Sequence, residues 1–224
     1  MRLSFMSWRD YVDGDPTIDI GKHVMGTRSV PARRTFYREG EPVTEFATLV
    51  DGWAFRYKLL PDGRRQILSI ALPGEPIALH TLWTDRLSFS VQSLTDLELR
   101  LYDRRALIEQ LRADGALAFR LGEMMAHEVM VFENRLTNLG RRTAVERVAR
   151  FILVLHILLK QRGLVEGETF PFPLRQQHIA DALGMTPVHV SRVFSELRAM
   201  KLISRVGEGI EILDHRRLTD VAGL

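Results

Sequence analysis

Cysteine is absent from all 224 residues. That absence removes disulfides, thiolate-held metals, cysteine-ligated iron–sulfur clusters and cysteine nucleophiles together. Long apolar runs are missing as well: "FILVLHILL" (151–159) falls far short of the ~20 residues a membrane helix needs. The N-terminal "MRLSFMSWRDYVDGD" meets acidic residues before any run long enough for a signal peptide. No membrane association and a cytoplasmic home are the expectations. A Gly-x-Ser-x-Gly elbow, a P-loop and a dinucleotide fingerprint are all lacking. The seven histidines show no His-x-His or His-x-x-x-His spacing of the kind a metal-dependent cupin-like enzyme uses. The sequence therefore predicts no catalytic residue and no metal site, and it places His156 in the core as a satisfied histidine.

What is present is an ordinary globular composition, 46% apolar with a formal charge of +3. The charge is unevenly placed. From Arg141 onward there are 13 Lys and Arg against 9 Asp and Glu, whereas the remainder carries 18 against 19. The C-terminal third is thus where a polyanion is best met.

Glycines at 40, 52, 63 and 74 recur every eleven or twelve residues, the beat of short strands and turns. Between them Trp53, Phe55, Tyr57 and Leu59 share one face, with Ala54, Arg56 and Lys58 opposite, and "LELRLY" (97–102) alternates in the same way. Residues from about 28 to 103 read as a β-roll or barrel, with a plain sandwich as the alternative. From about Asp103 the period turns helical for roughly 35 residues. Ala118, Gly122, Met125, Val129, Phe132, Leu136 and Leu139 follow steps of four and three, the seam of a paired helix. A single amphipathic helix packed on its own domain is the competing reading. Gly140 is expected to end the pattern, and "TAVE" (143–146) restarts it as a capping box, Thr143 capping and Glu146 reaching back.

The stretch "QQHIADALGMTPVHVSRVFSEL" (176–197) carries the most specific signal. Ala180 supplies a small residue where two helices cross, and Gly184 a residue free to take positive φ in the turn. Thr186 caps the second helix with Pro187 in its first position. If Val190, Val193 and Leu197 point inward, Pro187, Val188, Ser191, Arg192 and Ser195 point outward, with His189 at the margin. Those positions enter the major groove in a helix-turn-helix. Arg192 suits a bidentate contact to guanine, Ser191 a base or phosphate, and Val188 a thymine methyl. Gln176 belongs with this contact set, and Arg175, Arg198, Lys201 and Arg205 are placed to neutralise phosphate. "ISRVGEGIEIL" (203–213) then reads as the hairpin of a wing.

From about residue 28 to 215 the chain resembles the Crp–Fnr superfamily of bacterial transcription regulators. "QQHIADALGMTPVHVSRVFSELRAMKLIS" and "REGE…VDGW…PDGRRQIL…LPGE" carry the resemblance. It implies an α+β chain: a cyclic-nucleotide-binding-like β-roll in residues 1–110, a dimerisation helix in 111–140 and a winged helix-turn-helix in 141–224. It further implies a homodimer on a palindromic site in double-stranded DNA, RNA polymerase as a partner, and base and phosphate contacts on Ser191 and Arg192. Members with anaerobic-type specificity have a glutamate where this chain has Val188. Cyclic-AMP binders of the family clamp the phosphate with a Gly-Glu and an Arg-Ser pair; here Ala78-Leu79 and Leu87-Ser88 stand there, with Arg86 one residue off, so cyclic AMP is not expected. Iron–sulfur sensing is excluded for want of cysteine. His80 lies where the haem-bearing, carbon-monoxide-sensing member places an iron ligand, yet a lone histidine predicts no haem. Ala78, Leu79, His80, Arg86, Leu87 and Ser88 are thus the candidate lining for a small-molecule effector of unassigned identity. The competing expectation is a small-molecule carrier or cupin-like enzyme on the roll, with the C-terminal domain as scaffold.

Overall fold

A computed structural model describes residues 20–224 of the chain. Residues 1–19, which include the N-terminal run considered above, lie outside the described residues. The chain divides into one unit built on residues up to Val131 and another on Phe132–Leu224, with Arg65–Ile67 grouped with the second.

The first unit is a β-roll of two sheets. Strands β1 (Val24–Val30), β7 (Leu97–Asp103) and β3 (Glu45–Asp51) form one antiparallel sheet in the order β1-β7-β3. Strands β2 (Thr35–Tyr37), β6 (Ser90–Ser93), β4 (Ala54–Leu59) and β5 (Arg65–Ala71) form the other in that order. The glycines at 40, 52, 63 and 74 all take positive φ between the strands. Leu49, Ala54, Ile77, Leu87, Phe89, Val91, Leu97 and Leu99 form the core between the sheets.

The alternation in β4 does not separate a buried from a wet face. Ala54, Phe55, Arg56 and Tyr57 are all buried, and Leu59 is 60% exposed where the strand outruns the core. Arg56 lies inside because its charge is met there. Its guanidinium donates to the Pro76 carbonyl at 2.9 Å and to Glu128 Oε1 at 3.2 Å, and it lies over the Phe89 ring. A buried guanidinium persists only when so compensated.

The helical period after Asp103 is cut in two. Helix α1 (Arg104–Ala113) is capped by Asp103, whose side chain accepts from the Ala106 amide. Asp114 leaves helical geometry at φ −116°, ψ 97°, and its Oδ1 accepts from the amides of Ala116 and Leu117, starting α2 (Gly115–Arg141). A carboxylate that caps a new helix offsets the loss of one hydrogen-bonded turn. Leu117, Leu121 and Met124 of α2 join Phe46, Leu79, Leu82, Tyr102 and Leu107 in a second core. The other stripe of α2 is left outside: Ala118 and Gly122 are exposed, Met125 and Leu139 partly so, and Val129, Phe132 and Leu136 are 53%, 43% and 73% exposed. Gly140 does not end the helix, which runs one residue further to Arg141.

In the second unit the Thr143–Glu146 capping box forms as read. Thr143 accepts from the Glu146 amide, and the Glu146 carboxylate accepts from the Thr143 amide at 2.6 Å. It opens α3 (Ala144–Gln161), which buries Val148, Ile152, Leu155, His156 and Leu159. Strands β8 (Thr169–Pro171), β10 (Gly209–Ile212) and β9 (Ile203–Val206) make a small antiparallel sheet in the order β8-β10-β9. Helices α4 (Gln176–Leu183), α5 (Pro187–Ala199) and α6 (His215–Ala222) complete the unit. A Cβ at Gly209 would stand 2.5 Å from the Phe170 carbonyl oxygen of the neighbouring strand. Gly209→Ala is therefore expected to force β8 and β10 apart and lower stability by roughly 1–3 kcal/mol. Thermal unfolding of the variant checks this; an unchanged midpoint contradicts it.

Candidate nucleic-acid interface

Two helices joined by a three-residue turn build this surface. α4 places Ile179, Ala180 and Leu183 in the core, at 2%, 1% and 3% exposure, and ends on Gly184 at φ 63°, ψ 42°. That left-handed conformation costs a residue with a Cβ about 1 kcal/mol or more. The C-terminal carbonyl of Leu183 accepts from Arg147 of α3 at 3.2 Å, a cation at the negative end of a helix. Thr186 then caps α5, its hydroxyl accepting from the His189 amide at 3.2 Å, with Pro187 in the first helical position.

α5 is sharply two-sided. Val190, Val193 and Leu197 are buried, and Phe194, the alternative inward residue, is only partly covered, its ring 6.3 Å from that of Phe172. Opposite them Val188 is 63% exposed, His189, Arg192 and Ser195 are exposed, and Pro187 and Ser191 are half-buried. Arg192 has no hydrogen bond or ion pair among the described residues, so its five donors face outward. Ser195 is more constrained: its hydroxyl donates to the Ser191 carbonyl at 3.0 Å and accepts from Arg198 at 3.0 Å. The first turn adds the positive end of the helix dipole to this edge.

Cations surround the ridge. Arg175 and Gln176 are exposed at the start of α4, where the Arg175 amide donates to His178 Nδ1. Arg198, Lys201 and Arg205 are exposed at the end of α5 and on the wing strand, Arg205 within 3.4 Å of the Gly207 carbonyl. Lys201 adopts φ 57°, the left-handed region, where the chain turns from α5 toward the wing. That backbone feature escapes sequence reading, because lysine gives no propensity signal for it.

The roll's candidate positions are of a different kind. Ala78 and Leu87 lie in the inter-sheet core and Leu79 in the second core, all buried. Arg86, on the exposed rim, donates to the Gly40 carbonyl at 2.7 Å. His80 Nε2 stands 3.3 Å from the Ser88 amide and 3.2 Å from its hydroxyl, so its lone pair is engaged, and the ring meets Phe89 at 4.9 Å. Burial, and then the Arg56 charge, hold the His80 pKa below its ordinary value. Arg56 and Glu128 were not legible as members of this region, since alternation had put Arg56 on the opposite face.

Residues 27–114 match the cyclic nucleotide-binding domain model and residues 146–221 the Crp-like helix-turn-helix domain model. The transcriptional activatory protein AadR of Rhodopseudomonas palustris is 33% identical over 192 residues, 85% of this chain and 78% of that protein. The chain belongs to the Crp–Fnr family. Its helix-turn-helix is accordingly the DNA-binding module of a transcription regulator. Another Crp–Fnr relative, the nitrogen fixation regulation protein FixK of Bradyrhizobium diazoefficiens, is 33% identical over 84% of this chain and 78% of its own length. Among solved structures, FixK2 from Bradyrhizobium japonicum superposes with a TM-score of 0.78 at 31% identity, over 87% of this chain and 96% of that one. A CooA mutant from Carboxydothermus hydrogenoformans, at 16% identity and a TM-score of 0.74 over 99% and 98%, shares the Crp–Fnr fold. No helix among the described residues is long and apolar enough to cross a membrane.

Proposed function

We propose that this Crp–Fnr chain works as a cytoplasmic homodimer that sets one α5 into each of two major-groove half-sites of a palindrome, about 34 Å apart. The observation that carries the proposal is the two-sidedness of α5: one face fully buried, the other presenting an unpaired Arg192 between Val188 and Ser195. Arg192 reads guanine bidentately, Ser191 and Val188 contact bases, and His189, Pro187, Thr186 and Gln176 pack beside the backbone. Arg175, Arg198, Lys201 and Arg205 contribute phosphate neutralisation. The exposed stripe of α2 forms the dimer seam. RNA polymerase is the downstream partner, and since AadR is named a transcriptional activator, activation is the sense we extend to this chain.

For the roll we propose a role without catalysis and without cyclic AMP or haem. Buried Ala78, Leu79 and Leu87 replace the charged clamp, Arg86 is occupied by the Gly40 carbonyl, and Ser88 takes the His80 nitrogen that an iron would need. Any effector is then a ligand of another kind, acting by favouring one of two dimer arrangements.

The test is salt dependence. Affinity for duplex should fall steeply as salt rises, and Lys201→Ala or Arg205→Ala, each removing one contact per half-site, should flatten the log–log slope by about 2 without changing sequence preference. A slope untouched by both substitutions would contradict the phosphate assignment.

A further inference from the structure

A second cluster with chemistry lies in the C-terminal unit. His156 of α3, Glu168 just before β8 and His215, the first residue of α6, each offer one ligand atom, and the three atoms lie within 4.8 Å of one another. Glu168 is 12 residues from His156, and His215 a further 47, so no spacing rule joins them.

His156 meets the Glu168 carboxylate through Nε2. Its side chain is fully buried, and Nε2 approaches the Gly167 carbonyl at 2.8 Å. A carbonyl only accepts, so Nε2 carries the proton and Nδ1 holds the lone pair. Nδ1 is itself buried and has no hydrogen-bond partner. An ion at Nε2 displaces that proton to Nδ1 and has the Gly167 carbonyl beside it as a further oxygen donor. Glu168 Oε2 is a second buried polar atom without a hydrogen-bond partner, 3.8 Å from His156 Nε2. Leaving that carboxylate oxygen unsatisfied is costly, and an ion held between it and Nε2 removes the cost. The cluster opens at His215, which is exposed and whose Nδ1 lies 3.5 Å from the Thr219 hydroxyl. Lys160 Nζ opposes an ion here, but it lies 3.2 Å from the other carboxylate oxygen, Oε1, leaving Oε2 to face the histidines.

We propose that His156, Glu168 and His215 form a binding site for a first-row divalent cation, zinc above all, that ties α3, the lead into β8 and α6 together. Two imidazoles and one carboxylate are a recurrent zinc donor set, with water or a carbonyl in the fourth position. Its effect is structural: an ion bound only by the folded unit stabilises that unit in proportion to occupancy.

The test uses untagged full-length protein stripped with chelator. One zinc per chain after dialysis is expected, with an unfolding midpoint raised by about 5 °C or more at ~100 times the dissociation constant. Because buried His156 is a poor site to mutate without damage, the variants are His215→Ala and Glu168→Gln. Both should unfold like the metal-free parent and lose the zinc-dependent rise and the stoichiometric ion. Absence of zinc binding by the parent, or retention of one tightly held zinc in either variant, overturns the proposal. DNA binding is not the readout, so its failure leaves the regulator reading untouched.

Discussion

A doubly substituted chain carrying Val129→Glu and Leu136→Glu is expected to sediment as a monomer and to bind a two-half-site duplex at least about a hundredfold more weakly than the parent. Val129 and Leu136 are 53% and 73% exposed on α2, with Phe132 between them at 43%. The opposite stripe, Leu117, Leu121 and Met124, is already spent in the chain's own core. The exposed stripe therefore contributes little to folding of one copy, and charge placed there leaves the monomer intact. In a dimer the same positions meet their counterparts, where burying paired glutamates is prohibitive. Losing the dimer removes the effective concentration, of millimolar order, that the first bound half-site confers on the second. Sedimentation velocity and duplex titration on one preparation check both parts; a persistent dimer with unchanged affinity contradicts the seam.

The second large effect is at Arg192. Arg192→Ala is expected to remove about 1–3 kcal/mol of discrimination per half-site, and therefore roughly thirtyfold to ten-thousandfold or more in specific affinity for a dimer with two copies. Binding to random duplex should change far less, since one phosphate-independent contact is lost. The fold should not suffer, because Arg192 has no partner among the described residues and alanine is the better helix former at an exposed position. Replacing guanine by 7-deazaguanine in each half-site supplies the matching deletion on the DNA. If the N7 contact is real, that analogue weakens the parent but not Arg192→Ala; equal losses in both refute the assignment.

Much of the fold could be read because its signals are local. The Thr143–Glu146 box and the Thr186-Pro187 start each lie within one turn of chain, and both form as read. The helix-turn-helix and its wing were legible for the same reason, since small residue, turn glycine, cap and hairpin follow one another within about forty residues. What was missed depends on partners far along the chain. Arg56 looked like the solvent face of a strand, and its burial is made tolerable by the Pro76 carbonyl, 20 residues on, and by Glu128, 72 residues on. Asp114 sits in an unbroken helical period, and its side-chain bonds to Ala116 and Leu117 decide for a new helix start. Gly140 has helix beyond it because one glycine costs only about 1 kcal/mol. The His156, Glu168 and His215 grouping was invisible to spacing rules because those rules describe ligands on one element, whereas these come from three.

The central claim, that a dimer reads an inverted repeat with two copies of α5, is tested most directly by selection of full-length protein against a randomised duplex pool at moderate salt. The account predicts enrichment of two inverted half-sites with centres about one helical turn apart, and loss of that enrichment in Arg192→Ala. A pool that stays random with the parent chain, or that converges on a single unrepeated half-site, would contradict it.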